Sequence, residues 1–78
     1  MAIYRFRYCV PIAGDVSRFY FYCEATGEAE ALQKLGAWMQ TNPGDYRSIA
    51  GCFKVSLDDV PTCIPFHHLE SGATVRVG

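Results

Sequence analysis

Three groups of side chains in this chain have the types that do chemistry. The first is Cys9, Cys23, Cys52 and Cys63 with the adjacent pair His67 and His68, the thiols and imidazoles that ligate metals or attack carbonyls. No two cysteines have C-x-x-C spacing. Cys63, His67 and His68 form only half a metal set, and neighbouring histidines on a strand would point to opposite faces. That group also lacks an acid to orient a Cys–His pair. The expectation is four reduced thiols in strand positions, with no metal and no cofactor.

The second group is acidic. Glu24, Glu28 and Glu30 surround a strand-to-helix junction, and Asp58 and Asp59 sit in a later turn. Carboxylates at such places serve helix starts and turns, and a partner-binding acidic patch is the competing reading. Their spacing supports no paired-carboxylate hydrolysis. No glycine pattern cradles a phosphate. These absences predict a protein that is not an enzyme.

The third group is Arg5, Arg7, Arg18, Tyr20 and Tyr22. From Ala2 to Val10, Tyr4, Phe6, Tyr8 and Val10 alternate with Ile3, Arg5, Arg7 and Cys9; from Arg18 to Ala25, Phe19, Phe21 and Cys23 alternate with Arg18, Tyr20, Tyr22 and Glu24. The period of two makes both segments strands, and the loop-type residues Pro11 to Ser17 between them imply a hairpin. Pairing Tyr8 with Phe19, Phe6 with Phe21 and Tyr4 with Cys23 gathers the aromatic residues on one face. A slip of one residue would set arginines beside phenylalanines, so the pattern selects this register. The opposite face then carries all five Arg and Tyr residues, the candidate partner-binding site. Arg and Tyr dominate interface hot spots and also make platforms for nucleic acid. Ordinary cross-strand packing is the plainer alternative.

The elements that position these groups follow from the same periodicities. Thr26 is expected to cap a helix over about Gly27 to Thr41, with Ala29, Leu32, Leu35, Gly36 and Met39 as its buried stripe, flanked by Ala31 and Trp38. Gly36 is expected to permit close approach to the sheet, and Asn42-Pro43-Gly44 to stop the helix. Ser48 to Leu57 alternates as a third strand. Ile64 to Leu69 and Ala73 to Val77 could form a hairpin about Glu70-Ser71-Gly72, limited by Pro61 and Pro65. The fold class is α+β, one domain over residues 1–78. An antiparallel sheet of three to five strands carries one amphipathic helix on one face, in the order β-β-α-β plus a C-terminal hairpin. The other face is left to solvent or a partner.

Composition agrees with this class. Apolar residues are 50% of the 78 and charged ones 19%, which is globular. A net charge of −1 gives no bulk attraction to nucleic acid or an anionic membrane, and it is too small for a DNA mimic. No run of 18 apolar residues is present and Met1 to Arg5 lack a signal-peptide core, so a cytoplasmic location is expected.

The junction Phe21-Tyr22-Cys23-Glu24-Ala25 followed by Thr26-Gly27-Glu28-Ala29-Glu30-Ala31-Leu32 resembles small phage and mobile-element proteins of β-β-α-β layout, including type I anti-CRISPR inhibitors. The resemblance implies a stoichiometric inhibitor in the host cytoplasm. It would dock on a subunit of a CRISPR surveillance complex and prevent target DNA from binding, and the near-neutral charge favours steric blocking. A monomer is expected, or a small homo-oligomer that buries the Arg and Tyr face against itself. Single-stranded nucleic-acid binding through the Arg and Tyr face is the alternative expectation.

Overall fold

The computed structural model describes residues 1–77. Its centre is the hairpin that the alternation predicts: β1 (Ala2–Ile12) pairs antiparallel with β2 (Asp15–Ala25), setting Tyr8 opposite Phe19, Phe6 opposite Phe21 and Tyr4 opposite Cys23. On the reverse side Arg5, Arg7 and Cys9 face Tyr22, Tyr20 and Arg18. The register is the expected one, but the strands run longer. The connection shrinks to Ala13 and Gly14, whose φ angles of 51° and 81° are the positive pair that a type I′ turn needs. Pro11 fits inside β1 because the pairing with the next strand ends at Cys9, so its missing N–H removes no bond there.

The helix α1 spans Glu28–Thr41. Gly27, not Thr26, is the capping residue; Thr26 instead donates its backbone N–H and its hydroxyl to the Glu30 carboxylate. Glu28 and Glu30 lie in the first turn, where the helix dipole favours negative charge. Ala31 and Leu35 are the buried residues of α1, with Trp38 and Met39 packed beside them. Ala29, Leu32 and Gly36 face solvent, so the stripe is narrower and rotated from the expected one. A Cβ on Gly36 would meet nothing within 4 Å, so that glycine serves no close approach. The exit is held by Asn42, whose backbone and side-chain N–H groups both donate to the Trp38 carbonyl at 2.9 Å.

Strand β3 (Arg47–Val55) pairs with β1, and β4 (Ala73–Val77) with β2, giving the antiparallel order β3-β1-β2-β4. The α+β class with one helix on a sheet face therefore holds. Strict alternation in β3 does not. Two extra residues enter where the partners pass from Phe53 to Ala50 and from Ala50 to Arg47, and the φ angles of Gly51 (68°) and Ser48 (55°) mark these bulges. Leu57 lies beyond the strand, in a 3₁₀ turn.

The tail departs most from expectation. The C-terminal hairpin is reduced to the single strand β4. Residues 64–69 are not extended: Phe66–Glu70 is a 3₁₀ turn entered through Pro65. Pro61 and Pro65 remove two ladder donors within five residues, which disfavours a strand and suits tight turns. Gly72 (φ 106°) then redirects the chain into β4, and its Cα passes so close to the Phe21 ring that a Cβ would stand 2.2 Å from it.

Two apolar clusters result. One lies between sheet and helix: Tyr4, Phe6, Tyr8, Phe21, Cys23, Ala25, Ala31 and Leu35, with Tyr8 stacked on Phe19 at 5.4 Å and Trp38 tilted against Phe21 at 5.7 Å. The other lies on the reverse face, where Ile64 and Leu69 cover Tyr22, with Ile3, Val55, Val60 and Ala73 around them. The reverse face is therefore half covered by residues 57–70, and not wholly open as expected.

Candidate functional site

The reverse face divides along β1 and β2. At the end near Ile3 and Glu24 lies the covering segment 57–70, held by a contact that sequence reasoning missed. The Lys34 ammonium reaches from α1 to the Glu24 carbonyl at 2.6 Å and the Glu70 carbonyl at 2.7 Å. One cation thus ties helix, β2 and the covering segment together through charge-assisted bonds. Leu57–Asp59 closes by a capping box, in which the Asp59 carboxylate accepts from the Ser56 backbone N–H and hydroxyl. Those bonds hold the Asp59 pKa below its ordinary value.

Toward the hairpin turn the face is uncovered. Arg7 and Arg18 are exposed, Arg5 and Tyr20 half-buried, and Pro11 and Val16 extend the same face to the hairpin tip. The Arg5 guanidinium lies over the Tyr20 ring at 4.4 Å and 5.8 Å from the Phe53 ring. It stacks on Tyr20 diagonally, because its direct partner Tyr22 is beneath the covering segment at 2% exposure. In a two-residue hairpin the closing pair Ile12–Asp15 exchanges both bonds and the pairs then alternate. Arg5–Tyr22, Arg7–Tyr20 and Cys9–Arg18 therefore fall at the non-bonded positions, where facing side chains come closest.

A cleft of about 160 Å³ opens here, lined by Arg5, Arg7, Tyr20, Gly51 and Phe53. Of the five expected site residues, Arg5, Arg7 and Tyr20 meet in it. Arg18 shares the uncovered half but stands farther toward the turn, opposite Cys9. Tyr22 is not available to a partner. Phe53 and Gly51 belong to the site and were missed, because alternation within β3 does not say which of its faces lies beside Arg5; the pairing register with β1, which sets Arg5 opposite Phe53, decides that. The available signal was Gly51 two residues before an aromatic one: Phe53 lies over the bare Gly51 backbone, where a Cβ would stand 2.7 Å from its ring.

Cations outnumber carboxylates in this half. Arg47 pairs with Asp45 at 2.8 Å, the single salt bridge among the described residues. Arg5, Arg7 and Arg18 donate no side-chain hydrogen bond within the described chain. Of the eight carboxylates, six (Glu24, Glu28, Glu30, Asp58, Asp59 and Glu70) lie toward the helix start and the covering segment. Asp45 pairs with Arg47 and Asp15 closes the hairpin turn. Besides the Ser56 bonds, the Arg5 charge helps to hold the Asp59 pKa down. The small net charge thus hides a separation of signs.

The other candidate groups are dispersed. All four cysteines are free; Cys23 is buried, and its thiol is pushed up to about 11 by desolvation. His67 and His68 stand on a 3₁₀ turn with ring centroids 4.4 Å apart, so the expected opposition across a strand does not apply. Among the described residues no three His, Cys, Asp or Glu side chains converge as metal ligands, and no helix is long and apolar enough to cross a membrane. Comparison with family models, curated proteins and solved structures finds no match to this chain.

Proposed function

We propose that this chain is a non-catalytic protein-binding module whose contact surface is the uncovered half-face of Arg5, Arg7, Arg18, Tyr20 and Phe53. The observation that carries this reading is the set of three arginines that form no salt bridge, around a shallow cleft beside an exposed aromatic ring; Asp59 acts on Arg5 only through space. Arginines and aromatics so placed are the anchors of protein interfaces, and complementary charge on the partner supplies orientation and rate. The resemblance of the β2–α1 junction narrows the partner to a subunit of a type I CRISPR surveillance complex in a host cytoplasm. There the module would act as a steric inhibitor of target DNA binding, seated on an acidic surface beside the DNA path.

Affinity capture from a host carrying that system tests the reading. Wild type is expected to retain the complex stoichiometrically, and the Arg5→Ala/Arg7→Ala double variant to lose it. Recovery of no stoichiometric protein by wild type would sink the proposal.

Phe53, 58% exposed beside the arginines, favours single-stranded nucleic acid as a second reading. Stacking successive bases needs several free ring faces, however. Tyr20 is already covered by Arg5 and Tyr22 is buried, so this reading is the weaker one. It predicts oligonucleotide binding that falls steeply with salt, measurable by fluorescence anisotropy.

A further inference from the structure

We infer that the cleft between Arg5, Arg7, Tyr20, Gly51 and Phe53 is a socket for one carboxylate side chain, a Glu or Asp presented by a protein partner. The inference rests on the protein-binding reading and gives that surface its anchor. The two guanidiniums bring ten N–H donors to one small space; Asp59 acts on Arg5 through space but forms no salt bridge with it, and no carboxylate of the described chain lines the cleft.

Arg5 is already ordered. Stacking on Tyr20 at 4.4 Å uses the face of its guanidinium and leaves the in-plane N–H fork free for two parallel bonds to a carboxylate. A ligand therefore meets a pre-set donor group, and little side-chain freedom is lost on binding. Arg7, exposed at the rim, supplies the second cation. Phe53 forms the apolar wall against which the methylenes of a glutamate would lie.

Gly51 keeps the socket open. Its positive φ makes the bulge in β3, and its missing side chain leaves the space that the Phe53 ring occupies. Size decides the class of occupant. At about 160 Å³ the cleft is well below the roughly 300–1,000 Å³ of sites that enclose drug-sized ligands, so it suits a single side chain and not a whole nucleotide.

The experiment is an NMR titration of labelled full-length protein, following the Arg Nε–H signals and the Gly51 amide. The probes are a blocked Gly-Glu-Leu-Gly peptide, its Gly-Gln-Leu-Gly twin and a thymidine hexanucleotide. The Glu peptide is expected to move Arg5, Arg7 and Gly51 saturably, with the Gln twin about tenfold weaker, the difference that one charge-assisted bond makes. Arg7→Gln and Phe53→Ala should each weaken the Glu peptide, with the remaining amide spectrum confirming that they fold. Equal response to both peptides, or equal movement of Arg18 and Arg76, would overturn the socket. Saturation by the oligonucleotide alone would overturn it in favour of nucleic acid. If affinity capture still recovers a protein partner with Phe53→Ala and Arg7→Gln, the binding module stands and the socket falls.

Discussion

Tyr20 and Tyr22 stand two residues apart on one strand, point from the same sheet face and each faces an arginine on β1, yet they have opposite fates. Tyr22 is sealed beneath Ile64 and Leu69; Tyr20, at the edge of the same cluster, stays half-exposed and carries the Arg5 guanidinium on its ring. The strand pattern does not distinguish them. What separates them is a segment more than thirty residues later, which reaches one half of the face and stops short of the other. A repeated local pattern can thus become core at one end and a recognition surface at the other, with the boundary set by tertiary cover.

The sharpest way to break the contrast is at the hinge of the covering segment. Gly72→Ala adds a Cβ 2.2 Å from the buried Phe21 ring at a φ of 106°. Backbone strain and overpacking together are expected to cost at least about 3 kcal/mol, read as a lower urea midpoint. Tyr22 should then become accessible, as its ring NMR signals would report.

The helix-covered face offers a pH test. Burial raises the Cys23 thiol from 9.0 to about 11, so the folded state holds its proton more tightly than the unfolded chain does. That contribution is complete below about pH 9 and is lost as the pH rises toward about 11, at most about 2–3 kcal/mol. Urea titrations across that range should show the fall, and Cys23→Ala should remove most of it. Cys52 and Tyr8, both also raised by desolvation, leave a remainder.

Lys34→Met removes the cation that spans the Glu24 and Glu70 carbonyls. A loss of about 1–2 kcal/mol is expected, small because the site is only partly buried. Hydrogen exchange should quicken in residues 66–72 while the β1–β2 hairpin stays protected, showing that the cover opens separately from the sheet.

The smallest stability effect belongs to the uncovered half. Arg7→Gln should change stability by less than about 0.5 kcal/mol, because no partner within the described chain depends on it. A larger loss in thermal melts would return Arg7 to a structural role and blur the two halves.

The hairpin was legible in the sequence because two constraints agreed: alternation fixed the faces, and a slipped register would have set arginines against phenylalanines. The helix was legible in extent but not in cap or orientation. Thr26 and Gly27 both suit a cap, and Ala, Leu and Gly at three- and four-residue spacing fit a stripe centred on Leu32 as well as one on Ala31 and Leu35. The cover was not legible. Leu57, Val60, Ile64 and Leu69 follow no period, since 3₁₀ turns and two prolines set their spacing. Without the cover, Tyr22 could not be separated from Tyr20. Without the β1–β3 register, Phe53 could not be assigned to the arginine face.

The covering segment follows in chain order everything that it covers. During folding, β1, β2, α1 and β3 can pair and collapse before Ile64, Leu69 and β4 dock on them. For that interval Ile3, Tyr22 and Val55 form a bare apolar surface, and β2 has an unpaired edge beside it. A chaperone or another copy meets a different molecule during that interval, and the docking of residues 57–77 ends the exposure.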